Sequence, residues 1–190
     1  QGIDCCQTLI VFMSFQTESQ PGVCEQPSSA SRGFVLNHSM LRVKDPAIAL
    51  DFYSRIMGMR LLRKLDFPEM KFSLYFLAVA EVAKDAPEST PERTAWTFSQ
   101  AGILELTHNW GTEADPAFKY HDGNAQPQGF GHICFSVPDL DAAVKWFDDN
   151  QVTYVKRPDQ GKMKDVAFIK DPDGYWIEIV EPGRLKNLGL

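Results

Sequence analysis

Apolar Met40, Leu41 and Val43 follow His38 within a short run interrupted by Arg42, and apolar residues then recur at helical spacing as Ile48, Phe52, Tyr53 and Ile56. The first pattern predicts a short strand; the second predicts an amphipathic helix from about Asp45 to Met57, stopped by Gly58. Apolar runs of strand length follow at Arg60 to Leu65 and Phe72 to Val79. The same order returns after residue 130. A strand at His132 leads into a helix from about Asp139 to Asn150 and strand-length runs at Thr153 to Lys156 and Val166 to Ile169. The turn sequence Asp171-Pro-Asp-Gly174 then precedes a last strand.

The recurrence is an internal repeat. His38-Ser-Met-Leu-Arg-Val43-Lys-Asp45 lines up with His132-Ile-Cys-Phe-Ser-Val137-Pro-Asp139 at an offset of 94, and Leu50 and Tyr53 match Val144 and Phe147 in the same register. The closing strands also correspond, Ile103-Leu-Glu105-Leu106 with Trp176-Ile-Glu178-Ile179, but at an offset of 73. The first copy therefore carries 21 extra residues, placed around the polar, Pro-containing segment Glu81 to Arg93 and read as a surface insertion, which costs little. Each copy reads as βαβββ. One copy alone has too little core to stand, so two must pair. The expected fold is α+β, with paired βαβββ modules forming curled mixed sheets around a concave cup. Residues 33–110 form the first module, 111–128 a Gly-, Asn- and Pro-containing linker, 129–184 the second module and 185–190 a C-terminal tail.

Residues 1–32, rich in Gln, Ser, Pro and Glu, are set aside as a flexible tail. Part of it is read as non-native, because the chain opens on Gln1 and Met13 precedes the polar stretch. Its apolar stretch Leu9 to Phe15 is far shorter than the roughly 20 residues of a membrane span. The 190-residue chain has 44% hydrophobic residues and a net charge of −6 with no basic patch, which disfavours nucleic acid as a partner. Cys5, Cys6, Cys24 and Cys134 show neither a C-x-x-C pair nor framework spacing, so a cytoplasmic, reducing compartment fits.

Each copy offers one His at the start of its first strand and one Glu within its last: His38 and Glu105, His132 and Glu178. Alternation turns each Glu away from its apolar neighbours, into solvent or into the cup. A single such Glu is most simply a solvated residue on a half-exposed sheet, and a single strand-start His a hydrogen-bonded structural one. Two of the chain's four His at equivalent repeat positions point instead to a metal site. Two nitrogen and two oxygen donors suit Zn²⁺, Ni²⁺, Co²⁺ or Fe²⁺.

Several segments resemble one family closely: Met40-Leu-Arg-Val-Lys-Asp-Pro46, Asp51-Phe-Tyr53, Met70-Lys-Phe-Ser-Leu-Tyr-Phe-Leu77, Leu104-Glu-Leu-Thr-His-Asn-Trp-Gly-Thr112, Gly129-Phe-Gly-His132 and Asp171-Pro-Asp-Gly-Tyr-Trp-Ile-Glu178. Over about Phe34 to Pro182 the chain resembles the glyoxalase I family of the vicinal-oxygen-chelate superfamily. The resemblance implies lactoylglutathione lyase activity: the hemithioacetal of methylglyoxal and glutathione is isomerised to S-D-lactoylglutathione through a metal-held enediolate. It implies metal ligation by His38, Glu105, His132 and Glu178. Glu178 is implied as the principal general base, and Glu105 as the acid or base on the other side. The insertion before Glu105 resembles the longer, Zn²⁺-dependent class, whereas His38 is shared with many bacterial members, so Zn²⁺ is expected and Ni²⁺ or Co²⁺ are the alternatives. By the same resemblance the enzyme is a homodimer, with His38 and Glu105 from one subunit meeting His132 and Glu178 of the other.

For glutathione, the co-substrate, the resemblance points to Arg42, Asn109, Lys156 and Lys162, with Gly161-Lys-Met163 similar to the family's lid segment. Phe67, Met70, Phe72, Leu74 and Met163 are expected to wall the methyl group, although each reads equally well as core. The family has Arg where this chain has Gln128, so a charged contact to a carboxylate is expected to be lost there. Two other readings stay open. One is an extradiol-type oxygenase, which needs only three protein ligands; the other is a metal-free binding member of the superfamily, which needs neither Glu.

Overall fold

The computed structural model describes residues 18, 20–24 and 26–186. The chain separates into Gln1–Phe34 and Val35–Leu190. Within the first unit, Ser29–Ser31 forms a single 3₁₀ turn, capped by the Ser28 hydroxyl accepting from the Ala30 amide at 3.2 Å. Most of the expected tail, Cys5 and Cys6 included, lies outside the described residues.

The second unit holds both modules. The first runs β1 (His38–Arg42), α1 (Pro46–Asp51), β2 (Met59–Phe67), β3 (Phe72–Val79), α2 (Ala80–Ala83), α3 (Thr90–Thr97) and β4 (Ile103–Asn109). The second runs β5 (His132–Ser136), α4 (Leu140–Asp149), β6 (Tyr154–Lys156), β7 (Val166–Lys170) and β8 (Trp176–Val180). The sheets have orders β1-β4-β3-β2 and β5-β8-β7-β6, in which β1–β4 and β5–β8 are parallel and the remaining pairs antiparallel. The βαβββ repeat is thus present in both copies with one topology.

Asp45 and Asp139 explain where the helices begin. Each side chain accepts from a first-turn amide, Ala47 at 2.8 Å and Ala142 at 2.9 Å, and so satisfies a donor the helix itself leaves free. The first helix departs from expectation. Its α-helical part ends at Asp51, and Phe52–Ile56 forms a π-helical turn in which the Met57 amide donates to Phe52 O. This wider turn carries Phe52, Tyr53 and Ile56 into the core. There the Tyr53 hydroxyl donates to Asp171 Oδ2 at 2.9 Å, which ties the helix of one module to the turn before β8 of the other.

The two sheets are not joined by strand pairing. They share a core instead: Leu41, Tyr53, Leu77, Leu104 and Leu106 pack in one cluster with Leu140, Ile169, Ile177 and Ile179. Alternation along β4 and β8 decides this, because Leu104, Leu106, Ile177 and Ile179 face the core and leave Glu105 and Glu178 on the opposite faces.

The insertion is more than a surface loop. It folds into α2 and α3, which sequence periodicity did not predict, and Val82, Ala83 and Trp96 cover a patch made by Leu62, Phe76, Ala78 and Ile103. Thr90-Pro91 opens α3 with a proline in the first turn, where its missing amide costs nothing. The segment is short and mostly polar, so its few inward residues give no periodic signal.

Candidate metal and substrate site

His38 stands at the first position of β1, an edge strand, and Glu105 in the middle of the adjoining β4. His38 Nε2 and Glu105 Oε2 are 3.1 Å apart. The second module repeats the arrangement on its own edge strand: His132 of β5 places Nε2 3.3 Å from Glu178 Oε2 of β8. Sequence repetition thus becomes geometric repetition, a His and a Glu in each module with ligating atoms turned toward one another. The four expected ligands do not converge within one chain, however. Among the described residues no three His, Cys, Asp or Glu side chains form a metal cage. The chain carries two separate His–Glu pairs, each a candidate half-site.

Each carboxylate has a further partner that sequence reasoning missed. The Thr107 hydroxyl donates to Glu105 Oε1 at 2.9 Å, and Glu105 is only 9% exposed. Cys134 is the register partner of Glu178. Its thiol is pushed up to about 11 by partial burial and by donating to the Glu178 carboxylate. A thiol is a weak donor, and the Glu178 side chain is 22% exposed against 11% for Glu105, so Glu178 is the less tightly held of the two.

His38 is oriented from behind. Its Nδ1 lies 2.6 Å from Asn37 Oδ1, while Asn37 Nδ2 donates to Thr97 O at 2.9 Å and Gln100 O at 2.6 Å. Both amide protons of Asn37 are spent on carbonyls, so Oδ1 must face the imidazole and Nδ1 must carry the proton. Nε2 faces a carboxylate oxygen 3.1 Å away, a separation at which both atoms can hold one cation. The donor set therefore fits a divalent metal held through imidazole Nε2 and carboxylate oxygen.

The expected substrate residues fall into two groups, one per half-site. Strand register places Arg42, Leu74 and Thr107 in one row, with Phe72 and Asn109 in another, all on the sheet face that carries Glu105. Phe67 stacks on Phe72 with ring centroids 4.7 Å apart, and Met70, in the turn between β2 and β3, is 62% exposed. Asn109 Nδ2 donates to the Tyr120 hydroxyl at 3.0 Å.

Around the second half-site, Phe168 pairs with both Glu178 and Lys156 across the sheet, and its ring meets that of His132 edge-on at 5.2 Å. Lys156 Nζ donates to Val166 O at 2.5 Å, and burial, with Lys164 adding, lowers its affinity for the proton. Lys162 and Met163 are exposed in the loop between β6 and β7. Gln128 reaches Asn124 O only at 3.5 Å. The remaining His–Glu pair among the described residues, His108 Nε2 to Glu113 Oε2 at 2.6 Å, lies on the core side of β4. It closes the turn after β4, since the Gly111 amide also donates to Glu113.

A family model described as the Glyoxalase/Bleomycin resistance protein/Dioxygenase superfamily matches residues 35–179. The chain belongs to this superfamily. Within it, the chain is 58% identical over 177 residues to a lactoylglutathione lyase of Pseudomonas aeruginosa, covering 93% of this chain and 99% of that protein. It is 54% identical over 162 residues to a lactoylglutathione lyase of Pseudomonas putida, covering 85% of this chain and 93% of that one. Among solved structures, a Leishmania major glyoxalase I described as trypanothione-dependent aligns with a TM-score of 0.57 at 30% identity, over 79% of this chain and 88% of that one. The superfamily hosts several chemistries, so the half-sites rather than the fold carry the functional argument.

Proposed function

We propose that the chain is a lactoylglutathione lyase, a glyoxalase I that isomerises the hemithioacetal of methylglyoxal and glutathione to S-D-lactoylglutathione. The observation that carries this reading is the repeated His–Glu pair, at 3.1 and 3.3 Å, each formed between the edge strand and the adjoining strand of two equivalent sheets. The 58% identity to a lactoylglutathione lyase supports it.

His38, Glu105, His132 and Glu178 would hold the metal, which we assign as Zn²⁺. When bound, the ion supplies positive charge against the negative charge that develops as the C–H beside the carbonyl loses its proton. Glu178 takes that proton and returns it to the neighbouring carbon, because it is the more exposed and less tightly held carboxylate. Glu105, fixed by Thr107, holds its place and serves the opposite face of the substrate. Arg42 and Asn109 bind the γ-glutamyl end of glutathione, and Lys156, Lys162 and Gln128 its remaining polar groups. Phe67, Met70, Phe72, Leu74 and Met163 enclose the methyl group.

Completing four ligands requires a second chain. A homodimer that sets the β1 edge of one copy beside the β5 edge of the other would unite the half-sites and cover Met40, which is 40% exposed on the Glu105 face of β1. No helix among the described residues is long and apolar enough to cross a membrane. With Cys24 and Cys134 as free thiols, we place the enzyme in the cytoplasm.

The test is the ultraviolet absorbance of the thioester product after adding methylglyoxal and glutathione to protein reconstituted separately with Zn²⁺, Ni²⁺ and Co²⁺. A metal-dependent rise abolished by Glu178→Gln establishes the activity and ranks the metals. No rise with glutathione but a rise with trypanothione would move the thiol assignment, for which Gln128 is the first residue to exchange. No rise with either thiol refutes the reading.

A further inference from the structure

The insertion reaches the first metal half-site through Asn37. Helix α3 is seated on the sheet by Trp96, packed against Leu62, Phe76, Ala78 and Ile103. Phe98 follows the helix, with its ring 5.0 Å from Phe76 and 6.2 Å from the His38 imidazole. Seated in this way, the carbonyls of Thr97 and Gln100 at the end of α3 both accept from Asn37 Nδ2. The backbone at Asn37 is held as well, because its carbonyl accepts from the Ile103 amide at 3.0 Å. Asn37 Oδ1 is left one direction to face, toward His38 Nδ1 at 2.6 Å.

The second module has no counterpart. Gly131 occupies the repeat position of Asn37, and among the described residues no group accepts from His132 Nδ1. His132 is positioned by the edge of the Phe168 ring instead. A ring contact restrains orientation but does not choose which nitrogen carries the proton.

We propose that Asn37 is a positioning residue for His38: it carries the placement of α3 to the imidazole, fixes the proton on Nδ1 and reserves Nε2 for the metal. This rests on the metal-site reading above and deepens it, since it makes the first half-site the preorganised one and gives the insertion a part in metal retention. An acceptor on the distal nitrogen of a ligating His holds the ring and raises its basicity, and removing such a partner typically weakens metal binding about 10- to 100-fold.

The test uses the full chain, stripped of metal and titrated with Zn²⁺ against a chromophoric chelator, as the parent and as Asn37→Leu and Asn37→Ser. The leucine keeps the volume without the acceptor, and the serine guards against a variant that fails to fold, each fold being checked by circular dichroism and melting without metal. Both variants should bind Zn²⁺ about 10- to 100-fold more weakly. In nitrogen-15 spectra of the zinc-loaded parent, His38 should show a slowly exchanging Nδ1–H proton that the variants lose. Unchanged affinity overturns the proposal. So does weakened affinity with the Nδ1–H signal retained, because Asn37 would then only brace the strand. A parent chain that takes up no Zn²⁺ overturns the metal-site reading itself, and this inference with it.

Discussion

The Thr107 hydroxyl donates to one oxygen of Glu105 at 2.9 Å while the other oxygen lies 3.1 Å from His38 Nε2. The carboxylate is nearly buried, so the hydroxyl replaces water the folded chain has removed. Thr107→Val keeps the shape and deletes the donor. A hydrogen bond to a charged group contributes about 1.5–3 kcal/mol, so Zn²⁺ affinity should fall roughly tenfold or more. Chelator competition reads this directly, and unchanged affinity would show that Thr107 does not hold the ligand.

Beside His132, Glu178 has the weakly donating Cys134 thiol as its further partner and the greater exposure of the two acids. Neutralising each acid in turn should therefore separate proton transfer from metal retention. Glu178→Gln is expected to lower kcat about 10²- to 10⁴-fold, the usual share of a general base, while metal affinity falls by a smaller factor. Glu105→Gln should do the reverse, losing metal first and recovering rate when excess Zn²⁺ is supplied. Equal loss of both quantities in both variants would remove the division of labour.

The same comparison shows why the half-sites were legible before the structure and their supports were not. His38 and His132, Glu105 and Glu178 occupy matched repeat positions, and that repetition singles out the two His–Glu pairs that the structure shows. Asn37 faces Gly131 in the repeat, Cys134 faces Met40 and Thr107 faces Val180, so none of these supports has a twin to mark it. Helices α2 and α3 went unread for a related reason. Their buried side chains are few, and their order comes from packing on the sheet residues Leu62, Phe76 and Ile103 rather than from an apolar period of their own. The π turn at Phe52–Ile56 was read as regular helix because an apolar period does not distinguish hydrogen-bond spacing.

Asp171 joins the modules and gives the fold a pH dependence. It accepts from Tyr53, from the Asp173 amide at 3.0 Å and from the Tyr175 amide at 2.9 Å, yet burial pushes its carboxyl up to about 7. A carboxyl whose folded value lies above its unfolded value of 3.8 binds more protons when folded. Its contribution to stability is therefore fullest at low pH and is lost as pH rises from about 4 through 7. Between pH 5 and 7 the change amounts to about 2 kcal/mol. Asp171→Asn should remove that slope, so the melting temperatures of parent and variant are expected to converge toward each other or cross as pH rises. Parallel curves from pH 5 to 8 would show that Asp171 stays charged throughout.

Gly123 controls where His132 stands. Its φ is +88°, and a Cβ there would lie 1.9 Å from the backbone oxygen of Phe130, two residues before His132. Around it the Gly129 amide donates to Gly123 O at 2.9 Å, and Asn124 Nδ2 donates to Gly131 O at 2.7 Å, so the loop grips the entry to β5 from both sides. Gly123→Ala pays for the left-handed backbone, about 1–2 kcal/mol, and adds a clash that only a backbone shift relieves. The displaced segment is Phe130-Gly131-His132, which lies in one half-site and leaves the other untouched. The variant should therefore melt lower and bind Zn²⁺ more weakly. The His38 Nδ1–H signal, where zinc still saturates the protein, should persist. A variant with parental melting and parental zinc affinity would mean that the loop yields without moving His132.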